Sequence, residues 1–149
     1  MAVIKEAEIR IVSVIENLSP SGIPEGEAER AESSATGYLH LTDGATFVTY
    51  TEMTDGGKIV SEVRSEADTV KVIRRGAIES EMHFREGTSH SSVYSVGPYS
   101  FDAEVSTRRI RRELSAEGGR IELFYNMRIG GADKSARMKI WISTDSKQK

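Results

Sequence analysis

The sequence predicts an all-β domain: a single closed antiparallel up-and-down barrel of about 8–10 strands. Three observations point there. Apolar residues recur with period two almost throughout, glycine-rich turn signals fall at hairpin spacing, and the ten or so resulting strands are joined mainly by short turns. In YSFDAEVST, Tyr99, Phe101, Ala103 and Val105 alternate with Ser100, Asp102, Glu104 and Ser106. In RIELFYNMRI, Ile121, Leu123, Tyr125, Met127 and Ile129 share one parity, as do Ala136, Met138, Ile140 and Ile142 in SARMKIWIS. Successive strand side chains point to opposite faces, so such runs require one buried face each.

Taken in order, the strands are expected near 7–17, 30–41, 45–54, 58–65, 68–75, 77–85, 88–97, 99–113, 120–130 and 135–145. The turns between them carry Asp43-Gly44, Asp55-Gly56-Gly57, Glu86-Gly87, Gly97-Pro98, Glu117-Gly118-Gly119 and Gly130-Gly131-Ala132-Asp133. Glycine supplies the positive φ that tight hairpins need. A meander this long closes on itself because closure removes its exposed edges; a sandwich is the second choice. The exception is SPSGIPEGEAERAES, residues 19–33, with two of the three prolines and a cluster of acids. It reads as a flexible acidic loop, or a short acidic helix starting near Pro24, lying across one mouth of the barrel. The KQK end reads as a frayed tail. Residues 1–149 are expected to form one domain.

The chain of 149 residues has 38% hydrophobic and 29% charged residues, a formal net charge of −3 and no cysteine. Mild acidity argues against a phosphate-dominated nucleic-acid binder. The missing cysteines exclude disulfides, thiolate metal sites and cysteine nucleophiles. No signal peptide and no apolar run of membrane-spanning length is evident, so the expectation is a cytoplasmic protein without a membrane partner.

The segment HFREGTSHSSVYSVGPYSFDAEVST (83–107) is rich in catalytic residue types. Nevertheless His40, His83 and His90 fall on three separate strands without ligand spacing, so no metal site is expected. His83 is out of phase with Met82 and Phe84 and is expected to face solvent. Ser89, Ser91, Ser92 and Ser95 lack a nucleophile-elbow context. The run RRIRR (108–112) is diluted by Glu104, Glu113 and Glu117 and reads as a solvated strand end. GxGxxG and P-loop patterns are absent, and no cofactor is implied.

The more informative signal is polar residues on the apolar parity. Glu52 shares a face with Thr46, Val48 and Tyr50; Arg74 with Val70 and Val72; Tyr94 with His90, Ser92 and Val96. Thr107 continues the face of Val105, and Tyr125 sits between Leu123 and Met127. Tyr50, Glu52, Arg74, Tyr94, Thr107 and Tyr125 are therefore the lumen candidates for binding a ligand. A buried charge is costly unless paired, so Glu52 and Arg74 are expected to be partners across the interior. Two outcomes fit this set: a structural polar network closing one end of the barrel, or a partly polar cavity for a small molecule.

GYLHL (37–41), YTE (50–52), VIRRGAIESEMHFREGTSHSSVYSV (72–96), EVST (104–107) and RIELFYNMRI (120–129) follow one another in an order that resembles the bacterial DUF1934 family, the YwiB-like proteins. The most specific element is Arg74-x-Gly76-Ala77, followed by Phe84 and Gly87; the acidic stretch at 19–33 is a longer insertion than that pattern has. The resemblance spans essentially the whole chain. It implies a calycin-like, lipocalin-type barrel, and it carries over no catalytic residue because the family has no established activity.

Three readings follow. The first is a non-enzymatic barrel binding a small molecule in its lumen. The second is a protein-interaction or homodimerising module with a packed core, using Trp141 and Phe124, which are out of phase with their strands' apolar faces. The third is a small barrel enzyme using Glu52 as general acid or base.

Overall fold

Period-two patterning yields ten strands in the structure, a computed structural model that describes residues 3–144. They are β1 (Val3–Leu18), β2 (Pro24–Thr42), β3 (Ala45–Thr54), β4 (Gly57–Glu66), β5 (Thr69–Gly76), β6 (Ile78–Phe84), β7 (Ser89–Val96), β8 (Tyr99–Ser115), β9 (Gly118–Ile129) and β10 (Ala132–Thr144). The KQK segment lies outside the described residues. Each strand pairs antiparallel with its sequence neighbour, and β1 pairs with β10, closing the barrel. The core is the inward parity: Ile9, Leu39, Val48, Val63, Val72, Phe84, Val105, Leu123 and Ile140 are among its nearly inaccessible side chains.

Residues 24–33 are neither loop nor helix. They are the first half of β2, paired with β1 from Leu18↔Pro24 through a register shift at Ile15/Asn17 to Ile11↔Ser33. Only 19–23 forms the turn. This half of β2 is exposed on both faces, so no apolar alternation marks it. Backbone pairing to β1 holds it extended, and Pro24 is tolerated as the first strand residue.

The run RRIRR is also more structured than a solvated strand end. A bulge lies between Thr107 and Arg109, since Thr107 pairs with Tyr125 but Arg109 with Phe124. The extra residue reverses parity, so Ile110, Arg112 and Leu114 continue the inward face. The Arg112 guanidinium donates to Ser65 Oγ (3.0 Å) and to the backbone carbonyls of Glu66 (3.0 Å), Ala67 (2.6 Å) and Thr69 (3.4 Å). It thereby ties β8 to the β4–β5 turn. Charge-assisted bonds of this kind contribute roughly 1.5–3 kcal/mol each before exposure weakens them, so Arg112 is a clasp at this end of the barrel.

Two places depart from a continuous, packed wall. Strands β6 and β7 share only Ile78↔Val96 and Glu79↔Ser95, then separate. The turn that follows β6 bonds instead to the β8 bulge: Thr107 donates its N–H to Thr88 O, and its carbonyl accepts from Gly87 N–H. The second departure is the tip of the β7–β8 hairpin. Tyr99 and Phe101, in phase with the buried Ala103 and Val105, are 66% and 42% exposed. Their parity was expected to be core. The hairpin extends past the end of β9, which pairs with β8 only from Ala103 onward, so its inward face is incompletely covered.

Candidate functional site

The site is built from one row of paired residues across five strands. Gly37 on β2 pairs with Tyr50 on β3, Tyr50 with Ser61 on β4, Ser61 with Arg74 on β5, and Arg74 with Ser80 on β6. Directly opposed residues in a sheet have Cβ atoms about 5 Å apart, so the four side chains beyond Gly37 form a continuous inward strip. Small residues at both ends of that strip make room for large ones. A Cβ at Gly37 would collide with the Thr49 carbonyl oxygen and come within 2.9 Å of Tyr50 Cβ, so glycine is what allows Tyr50 to sit here. Serines on either side of Arg74 leave space for its guanidinium.

The Arg74-x-Gly76-Ala77 block has a local physical reason. Gly76 has φ of 122°, and a Cβ there would strike the Lys58 carbonyl oxygen. That carbonyl accepts the Ala77 N–H at 2.9 Å. The one-residue β5–β6 connection thus folds tightly over β4, which fixes Arg74 opposite Ser61.

Polar chemistry is concentrated in this strip. Tyr50, Ser61, Ser80 and Tyr125 are all buried. Burial pushes the Tyr50 and Tyr125 phenols up to about 12, against the opposing influence of the nearby Arg74 charge; both remain protonated donors at neutral pH. Tyr94 lies close enough to Tyr125 to add to its shift, and Glu52 does the same to Tyr50. Four buried polar side-chain atoms among the described residues have no hydrogen-bond partner, and three of them belong to this strip: Arg74 Nε, Ser61 Oγ and Ser80 Oγ, the fourth being His90 Nδ1. The Ser61 hydroxyl approaches the Tyr50 phenol without completing a bond of good geometry. Such atoms are uncommon, because a buried polar group without a partner costs on the order of 1–3 kcal/mol.

Of the six residues expected in the lumen, the structure brings Tyr50, Arg74, Tyr94 and Tyr125 together and places Glu52 at their margin. The expected Glu52–Arg74 ion pair is not formed. Glu52 belongs to the neighbouring row, with Ile59 and Gly76, which sets its Cα about 12 Å from that of Arg74 by sheet spacing. Thr107 is buried, but its hydroxyl accepts the Arg85 N–H at 3.2 Å and is committed to the turn after β6. Ser61 and Ser80 were missed. They are in phase with Ile59 and Val63, and with Met82 and Phe84, and that parity could have found them.

Several of the remaining histidines and serines have structural partners, although the buried His90 Nδ1 has no hydrogen bond. His83 is half-buried rather than solvent-facing: it bonds Glu81 at 2.7 Å and stacks on His90 with ring centroids 3.9 Å apart. This pair links β6 to β7 in the stretch where they share no ladder. Burial and the neighbouring His83 hold the His90 imidazole below its ordinary range. Ser89 and Ser95 bond across to Ser106 and Ser100. Trp141 is half-buried between Arg10 and Lys139, 4.8 and 5.1 Å from its ring, so it is not an open apolar face. Among the described residues no group of three His, Asp or Glu side chains is arranged to hold a metal, and no helix is long and apolar enough to cross a membrane.

A model of the domain of unknown function DUF1934 matches residues 19–142. The chain belongs to the DUF1934 family. Its relatives agree on architecture: the uncharacterized β-barrel protein YwiB of Bacillus subtilis (strain 168) is 29% identical over 122 residues, covering 82% of this chain and 81% of YwiB. The crystal structure of ywiB protein from Bacillus subtilis superposes with a TM-score of 0.83 at 26% identity, covering 96% of this chain and 94% of that one. This DUF1934 barrel therefore joins a family whose fold is known and whose function is not.

Proposed function

We propose that the protein is a non-enzymatic barrel that binds a small amphiphilic molecule at the end opposite the Arg112 clasp. The observation that carries this reading is the Tyr50–Ser61–Arg74–Ser80 row, with three buried polar atoms left without partners. A structural network would satisfy its own members, as Arg112 does with four bonds. Successive turns of an up-and-down barrel alternate between its ends. The β3–β4, β5–β6 and β7–β8 turns thus share the end away from the β4–β5 turn. The β7–β8 hairpin presents Tyr94, Val96, Tyr99 and Phe101 on its inward-phase face there. That gives a ligand an apolar surface beside a polar seat, the usual composition of a small-molecule site.

Glu52 makes no hydrogen bond or ion pair with the described residues, and the ionisable group beside it, Tyr50, is held protonated by burial, which leaves an enzymatic reading without a general base–acid pair. Native mass spectrometry on protein purified from its own host tests binding directly. The expected spectrum contains a small-molecule adduct that denaturation releases. A mass equal to the bare chain in every preparation would overturn the reading.

A further inference from the structure

The polar seat also specifies what kind of group it receives. We propose that Arg74, Ser61 and Ser80 form the seat for the carboxylate of an organic monoanion, an inference that rests on the ligand-binding reading above.

Charge is the first reason. Arg74 lies on the inward face with Val70 and Val72, its Nε is buried, and its guanidinium makes no ion pair or hydrogen bond with any described residue. The nearest acid along the same face, Glu52, is in the next row and does not reach it. A guanidinium half-withdrawn from water, with its Nε buried, favours an anion, and a planar carboxylate matches its forked donors.

Geometry is the second. Ser61 and Ser80 are the direct register partners of Arg74 on the two flanking strands, so their orphaned hydroxyls bracket the guanidinium from both sides. Both can donate to the same oxyanion. Around them stand the Tyr50 and Tyr125 phenols, which burial keeps protonated and therefore donating rather than anionic. Within the row the count is a single positive charge among neutral donors, with the Glu52 carboxylate one row away. That balances a monoanion, whereas a phosphate dianion would bring a second charge into a place with no second cation; Arg75, the adjacent base, is exposed on the other parity.

The Arg74 Nε–Hε resonance in a 15N-correlated NMR spectrum reads this seat, assigned by its loss in Arg74→Gln. Acetate, its neutral isostere acetamide, and inorganic phosphate are the probes, added separately near pH 7. The expected result is a saturable shift with acetate, none with acetamide, and weaker binding of phosphate. Ser61→Ala/Ser80→Ala keeps the reporter and is expected to weaken acetate at least about tenfold, the loss of two hydroxyl hydrogen bonds. If Arg74→Gln does not fold, the double serine variant carries the test alone. Equal response to acetamide, no saturable response to acetate, or tighter phosphate binding would each overturn the proposal. A neutral adduct in native mass spectrometry would overturn it too while leaving the ligand-binding reading in place.

Discussion

Raising the pH from about 9 to about 11.5 is expected to weaken the fold by about 4 kcal/mol through two side chains, Tyr50 and Tyr125. Both phenols are buried and have pKa values raised from 10.0 to about 12. A raised tyrosine pKa means that the folded chain holds its proton more tightly than the unfolded chain does. The resulting stability is fully present below about pH 10, falls as the unfolded phenol ionises, and is gone above about pH 12. Each two-unit shift is worth roughly 2–3 kcal/mol in full, and most of that is lost by pH 11.5. Urea unfolding followed by circular dichroism at both pH values checks this against Tyr50→Phe/Tyr125→Phe, which lacks the titrating groups. The double variant should lose markedly less stability over the same interval. An identical alkaline loss in the two proteins would mean that neither phenol is withdrawn from water as the structure has it.

Phe84→Ala is expected to cost about 4 kcal/mol, the range for removing a fully buried aromatic side chain. Phe84 is completely inaccessible and meets Tyr125 edge-on, with ring centroids 4.9 Å apart. Its position makes the loss hard to absorb. β6 is bonded to β7 at only two residue pairs, so its side chains, more than its ladder on that side, hold it in the wall. A cavity here also removes the support of a phenol that faces Arg74. The urea midpoint should fall with little change in slope; a loss below about 1 kcal/mol would show that neighbouring side chains collapse into the space.

The ten strands were legible in the sequence because each has one buried face, and burial writes period-two alternation directly. What was not legible fails for stated reasons. Residues 24–33 bury neither face, so their strand leaves no apolar mark. The bulge at Arg108 shifts parity by one residue, which turned Arg112 from an apparent surface arginine into an inward clasp. Tyr99 and Phe101 have the right phase for a core and too little barrel opposite them. At the site, parity correctly gave the face of Tyr50, Arg74, Tyr94 and Tyr125. It does not give the row, and the row separates Glu52 from Arg74. Ser61 and Ser80 were in phase as well, but a serine in a strand is ordinarily read as wet. Only register shows that they flank Arg74.

The choice between a binding site and a structural network comes down to whether Arg74 stabilises the fold. A guanidinium half-withdrawn from water with no partner is a cost to the folded chain, tolerated where function requires it. The unfolding free energy of Arg74→Met, which keeps the length and apolar bulk of the side chain without its charge, is the most direct measurement. It should equal that of the unsubstituted protein or exceed it by about 1 kcal/mol. A decrease of more than about 2 kcal/mol would contradict the binding site, because it would mean that Arg74 is a satisfied member of the barrel's own polar network.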